Sequence, residues 1–183
     1  MNGAQRAEQY CTYEEWLELD GSERTELVDG IIYMMSEPTR RHEAISFEMS
    51  RQIGNFLVGK TCQGYSGNLG VKLQKGEDTV FKPDIVVICD PSKLTDKGCE
   101  GAPDFVVEIL SPSNSGYDKI TKFKAYRNAG VMEYWIVDPN DKSVAAYRLI
   151  DGKYVAEVYA DKDAAPVQTL PGCEIDLSLV FRE

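Results

Sequence analysis

Asp84 and Glu108 stand out among the acids of this 183-residue chain because each adjoins an apolar run. Pro83-Asp84 leads into Ile85-Val86-Val87-Ile88, and Phe105-Val106-Val107 leads into Glu108. A carboxylate beside such a run loses hydration that only a positive charge can replace, so the pair implies a shared cation or basic partners. Mg²⁺ or Mn²⁺ would serve, since Mg²⁺ takes one or two carboxylates and completes its shell with water and phosphate oxygens. Lys122 adds a third charged group, four residues after Asp118 and four before Tyr126, so that all three share one helical face. Acids, a divalent ion and an ammonium group together point to hydrolysis of a phosphodiester: the ion polarises the phosphate and activates water, and the ammonium meets developing negative charge. The plain alternative is a buried ion-pair network that fixes the core. Asp104 opens the same strand as Glu108, but four extended residues span ~13 Å, too far for one shared ion.

These groups must be held by buried strands and a helix. Ile85–Ile88 and Phe105–Val107 read as interior strands covered on both faces, and the run from Tyr117 to Tyr126 reads as a helix behind them, closed by Gly130. Upstream, Thr12-Tyr13-Glu14-Glu15 fits a capping box opening a short helix that carries Trp16. Glu26 to Tyr33 reads as a hairpin turning at Asp29-Gly30, with Glu26 either a solvent-facing acid or part of the site. Ser36 to Thr39 opens a longer helix on which Ile45, Met49, Ile53, Phe56 and Leu57 recur at helical spacing. His42, the only histidine, extends that inward stripe and reads first as a packed or capping residue. Short strands follow at Cys62–Tyr65 and Val71–Leu73, with a turn at 75–78. Tyr134–Val137 is a further buried strand. Ser143–Ile150 and Tyr154–Tyr159 form a hairpin at Asp151-Gly152, and 166–170 and 175–177 are short edge pieces.

In order and spacing, Glu26-Leu27-Val28-Asp29-Gly30, Pro83-Asp84, Glu108-Ile109-Leu110-Ser111-Pro112-Ser113, Asp118-x-x-x-Lys122-x-x-x-Tyr126 and the run from Ala129 to Pro139 resemble the Uma2 family. That family of restriction-endonuclease-like proteins is a branch of the PD-(D/E)XK nuclease superfamily, and the likeness runs from Thr12 to Phe181. It implies an α/β, restriction-endonuclease-like fold: a central mixed β-sheet flanked by helices, with an extra C-terminal β-hairpin. A single domain over residues 11–183 would follow a flexible N-terminus of residues 1–10. It further implies a Mg²⁺- or Mn²⁺-dependent nuclease acting on nucleic acid, DNA foremost. Asp84 and Glu108 would hold the ion, with the backbone carbonyl of Ile109 as a further ligand. Lys122 would orient the water or neutralise charge, and Glu26 would complete the shell. Asp118 and Tyr126 would position these groups, and a histidine at the place of His42 belongs to the likeness without an assigned role. The superfamily pattern sets a lysine two residues after the second acid, where this chain has Leu110; the family sets it at Lys122. That departure and the acidic net charge keep open a nuclease-fold binding or assembly module without turnover; a metal hydrolase of small phosphodiesters is a third alternative.

Composition narrows the classes. A chain of 183 residues, 43% hydrophobic and 27% charged, is one soluble domain's worth. No apolar run approaches the roughly 18 residues that span a bilayer, and residues 1–9 lack the apolar core of a signal peptide, so neither a membrane partner nor export is expected. Five cysteines, Cys11, Cys62, Cys89, Cys99 and Cys173, are odd in number and form no C-x-x-C pair. Reduced thiols and a cytoplasmic location are the expectation. The net charge of −10 argues against a protein that coats nucleic acid without a metal. Arg40, Arg41, Lys119, Lys124 and Arg127 read singly as solvated surface. No Walker or G-x-G-x-x-G sequence supports nucleotide binding. Cleavage of both strands of a duplex needs two sites, so a homodimer is expected with a DNA substrate.

Overall fold

The computed structural model describes residues 10–19, 24–74, 76–111 and 118–182. The expectation of a flexible N-terminus therefore falls almost wholly outside the described residues. Helix α1, Tyr13–Leu19, starts at the anticipated capping box: Thr12 N–H donates to Glu15 Oε2 at 2.8 Å and Glu15 N–H to Thr12 Oγ1 at 3.3 Å. It seats Trp16, whose indole N–H donates to Thr25 Oγ1 at 3.0 Å. Strands β1, Thr25–Val28, and β2, Ile31–Met34, form the predicted hairpin. Asp29 and Gly30 have φ of 51° and 74°, the positive values that a two-residue turn of this hand requires. Helix α2, Arg40–Leu57, is capped by Thr39, whose Oγ1 accepts from His42 N–H. It buries Ile45, Met49, Ile53 and Leu57, each contributing about 1.5–3 kcal/mol by leaving water.

The strands that follow are β3 (Gln63–Ser66), β4 (Val71–Lys72), β5 (Val80–Phe81), β6 (Ile85–Ile88), β7 (Leu94–Thr95), β8 (Gly98–Glu100) and β9 (Phe105–Ile109). A π-helical turn, Asp118–Lys122, runs into α3, Phe123–Ala129, which Gly130 ends at φ 89°. Then come β10 (Glu133–Asp138), β11 (Ser143–Ile150), β12 (Lys153–Ala160), β13 (Ala164–Val167), β14 (Cys173–Asp176) and α4 (Leu177–Val180).

The expected central mixed sheet is present, ordered β12-β11-β10-β9-β6-β3, with β9 and β10 parallel and the other neighbours antiparallel. The predicted C-terminal hairpin, β11 with β12, forms one edge of it. Helix α2 and the β13–β14 pair pack on one face, against Ile85, Val87, Phe105, Val107 and Trp135. On the opposite face, Val86, Val106, Tyr134 and Ile136 meet Tyr126 of α3 and also Val71, Phe81 and Cys99. Those last three belong to a second six-stranded sheet, β2-β1-β5-β4-β8-β7. Sequence periodicity did not reveal this sheet, because its central strands β4 and β5 are two residues long, too short to alternate visibly. The short edge pieces near the C-terminus are β13 and β14, which pair with each other in a two-stranded sheet. Among the described residues no helix is long and apolar enough to cross a membrane.

The cysteine expectation is corrected. Cys62 and Cys89 form a disulfide, and Cys11, Cys99 and Cys173 are free and buried. The antiparallel register of β3 on β6 sets Gln63 opposite Ile88, which brings the next residues out, Cys62 and Cys89, face to face. Strand pairing makes this contact between residues 27 apart, so sequence spacing could not show it. Burial pushes the Cys99 and Cys173 thiols up to about 11. Thiol titration of the folded, unreduced protein at pH 8 should therefore detect almost nothing. In denaturant it should find three thiols, and five after reduction. Five thiols without reductant would refute the bridge.

Candidate active site

Ile85 pairs with Val107 across the β6–β9 ladder, so Asp84 and Glu108, one step further out, lie opposite each other. Opposed residues of antiparallel strands project to the same side of the sheet. Both are buried, at 9% and 3% exposure, as are Glu26 at 4% and Lys122 at 3%. The structure thus brings together the four charged residues to which the sequence assigned chemistry. Glu26 is not the solvent-facing acid its strand alternation allowed. Lys122 Nζ lies 2.9 Å from Glu26 Oε1 and 3.0 Å from each oxygen of Glu108. It also sits 5.6 Å from the centre of the Phe81 ring, within range of a cation–π contact. Lys122 therefore reaches the second acid from the following helical segment, although Leu110 occupies the place two residues after Glu108 and packs in the core.

Each acid has further partners. Tyr126 O–H donates to Glu108 Oε1 at 2.7 Å. Burial first, then the charges of Glu108 and Glu26, push the Tyr126 phenol well above its ordinary range, so it remains a donor at neutral pH. The backbone N–H of Lys82 donates to Glu26 Oε1 at 2.9 Å. Asp84 Oδ2 accepts from Ile109 N–H at 2.7 Å and lies 3.2 Å from His42 Nε2. Burial disfavours the charged His42 ring, but the hydrogen bond and charge of Asp84 outweigh it and raise its pKa. His42 is therefore a packed residue, as its stripe indicated, and also a direct partner of the first acid. Lys122 and Tyr126 share the expected face, from the end of the π-helical turn into α3. The side chain of Asp118 lies outside the described residues, as do residues 112–117.

Arg24, Glu26, His42, Asp84, Glu108, Ile109, Ser111 and Lys122 line one small cleft of about 40 Å³. That is room for roughly three water-sized groups at the ~10–15 Å³ each needs. Arg24 was not singled out from sequence. The available signal was its place two residues before Glu26, which aligns the two on one side of an extended segment.

Among the described residues no three His, Cys, Asp or Glu side chains are grouped to hold an ion. A zinc-type cage is therefore absent from this part of the chain. Mg²⁺ asks for less, and the donor set fits it. Asp84 Oδ1 accepts no hydrogen bond among the described residues, while Asp84, Glu108 and Ile109 all line the cleft.

Comparison with known proteins agrees with this architecture. A family model named Uma2 and described as "Putative restriction endonuclease" matches residues 7–178. Two relatives from Synechocystis sp. (strain ATCC 27184 / PCC 6803 / Kazusa) are uncharacterized proteins. Slr1290 is 28% identical over 172 residues, covering 93% of this chain and 89% of its own. Sll1609 is 27% identical over 135 residues, covering 72% and 73%. A crystal structure from Anabaena variabilis ATCC 29413, described as a "putative nuclease belonging to DUF820", superposes with a TM-score of 0.76 at 23% identity. It covers 93% of this chain and 97% of that one, a likeness of fold.

Proposed function

The chain belongs to the Uma2 family, and from that membership we propose that it is a metal-dependent nuclease hydrolysing phosphodiester bonds in nucleic acid, with DNA as the preferred substrate. The observation that carries the proposal is the convergence of Asp84 and Glu108 from adjacent strands, with Lys122 Nζ 3.0 Å from both Glu108 oxygens. The family description favours DNA and endonucleolytic cleavage.

In this proposal Asp84, Glu108 and the carbonyl of Ile109 would hold Mg²⁺ or Mn²⁺. The bound ion would supply Lewis-acid polarisation of a phosphate oxygen and an acidified water. The protein's own groups do the rest. Ile109 N–H and His42 hold Asp84 at the cleft through Oδ2. Tyr126 and Lys122 hold Glu108. Lys122 is buried, so its ammonium would stabilise negative charge developing on the phosphate more than it would in solvent. Glu26 anchors that ammonium from the other side. Two such sites are needed to cut both strands of a duplex, so a homodimer forms part of the proposal.

One observation favours a second reading, a nuclease-fold binding or assembly module. Both Glu108 oxygens are already engaged by Lys122, and such a buried network can be purely structural. Incubation of the purified protein with plasmid, linear duplex and RNA decides between them. Cleavage with Mg²⁺ or Mn²⁺ that stops in chelator is expected; stable binding without cleavage at any concentration of either metal would select the module.

A further inference from the structure

Beside the cleft, the first turn of α2 opens a groove of about 300 Å³ lined by Arg40, Arg41, Ala44, Ile45, Val180, Phe181 and Arg182. In a chain of net charge −10, every charged residue lining this groove is an arginine. Their placement conflicts with local helix physics. Arg40 and Arg41 are the first two residues of an 18-residue helix, where the macrodipole is positive and acidic residues are preferred. A sequence that breaks a local rule without a local gain marks a functional position.

Arg40 and Arg41 are exposed, and Arg182 makes only a long ion pair with Glu48. The buried carboxylate of Glu48 could have absorbed Arg182, but Arg51 meets both its oxygens, at 3.0 and 2.5 Å, and Gln52 donates at 3.0 Å. Arg182 Nη2 stays 3.8 Å away and its side chain is 67% exposed. Arg41 is followed directly by His42, which reaches into the cleft to Asp84. In that same turn His42 Nδ1 is buried with no hydrogen-bond partner among the described residues. The segment at the start of α2 thus lines both: Pro38 and His42 face the acidic cleft, and Arg40, Arg41, Ala44 and Ile45 line the basic groove.

We propose that Arg40, Arg41 and Arg182 form a phosphate-binding track that holds the backbone of a nucleic-acid strand next to the Asp84–Glu108 cleft. The inference rests on the proposed function and adds the route of the substrate. Arginine suits the task because its planar guanidinium binds phosphate through paired hydrogen bonds. In this role the groove meets the sugar-phosphate backbone, the kind of contact that positions a strand without carrying sequence information.

The test is binding of a short fluorescein-labelled DNA strand and of its duplex, in chelator, as salt is varied between about 50 and 200 mM. The variant Arg40→Gln/Arg41→Gln/Arg182→Gln should bind at least about tenfold more weakly, with a salt slope shallower by about two. Its melting temperature should not fall, because the helix loses an unfavourable charge at its N-terminus. The matching triple lysine variant should keep most of the slope, and hydrolysis of a chromogenic diester should be unchanged in both. Parental affinity and slope in the glutamine variant would overturn the track, as would failure of the parent to bind either DNA. So would loss of inorganic phosphate binding alone, with DNA affinity unaltered. Binding that behaves as expected in a protein that never cleaves would leave the track standing and defeat the proposed turnover instead.

Discussion

Asp84→Asn is expected to give a folded protein whose metal-dependent cleavage is slower by about 10³-fold. The side-chain amide keeps an oxygen to accept from Ile109 N–H, so the end of β6 stays tied to β9. What disappears is the negative charge that Asp84 brings to the cleft. Lewis-acid catalysis by a bound ion contributes several kcal/mol, and about 4 kcal/mol corresponds to the stated factor. Initial rates on plasmid across a Mn²⁺ titration, with circular dichroism to confirm folding, make the measurement. A variant that cleaves within tenfold of the parent at saturating metal would remove Asp84 from the chemistry. Equal binding and no cleavage by either protein would leave Asp84 as part of a structural network.

The largest effect on stability belongs to Lys122. In Lys122→Met a side chain of similar length leaves Glu26 and Glu108 facing each other, both under 5% exposed, without the ammonium 2.9–3.0 Å from each. Breaking a buried pair by removing one partner costs about 3–5 kcal/mol, because the orphaned charges remain desolvated. For a chain of this size each kcal/mol lowers the melting point by about 2–4 °C, so a fall of roughly 10 °C is expected. Removing all three charges together, as Glu26→Gln/Glu108→Gln/Lys122→Met, should recover most of that loss, since uncharged groups carry a far smaller desolvation cost. Mg²⁺ or Mn²⁺ should also raise the melting point of the single variant more than that of the parent, by binding in the folded state only the two acids that have lost their ammonium. A single variant that melts within about 2 °C of the parent would show that the network is not held together by this ammonium.

Much of the framework was legible from local pattern. The capping box at Thr12–Glu15, the Asp29-Gly30 and Asp151-Gly152 turns, the buried stripe of α2 and the apolar runs of β6 and β9 each record a backbone geometry that acts over a few residues. The two acids were visible for the same reason: a carboxylate set in an apolar strand is a local anomaly. Lys122 and Glu26 entered through the family likeness, while other contacts in and around the cleft left no such trace. His42 reads from sequence as a helix-stripe residue, yet its ring crosses to Asp84, 42 residues on. Lys82 contributes a backbone N–H, which leaves no trace in residue type.

What the sequence by itself determined is where the chain turns, which segments must be buried, and that Asp84 and Glu108 need a positive neighbour. That the neighbour of Glu108 sits between it and Glu26, that Cys62 meets Cys89, and how the short strands assemble into a second sheet were decided by tertiary structure alone. Periodicity and turn chemistry follow from torsions within a few residues, whereas strand register and side-chain encounter follow from packing between segments that share no local signal.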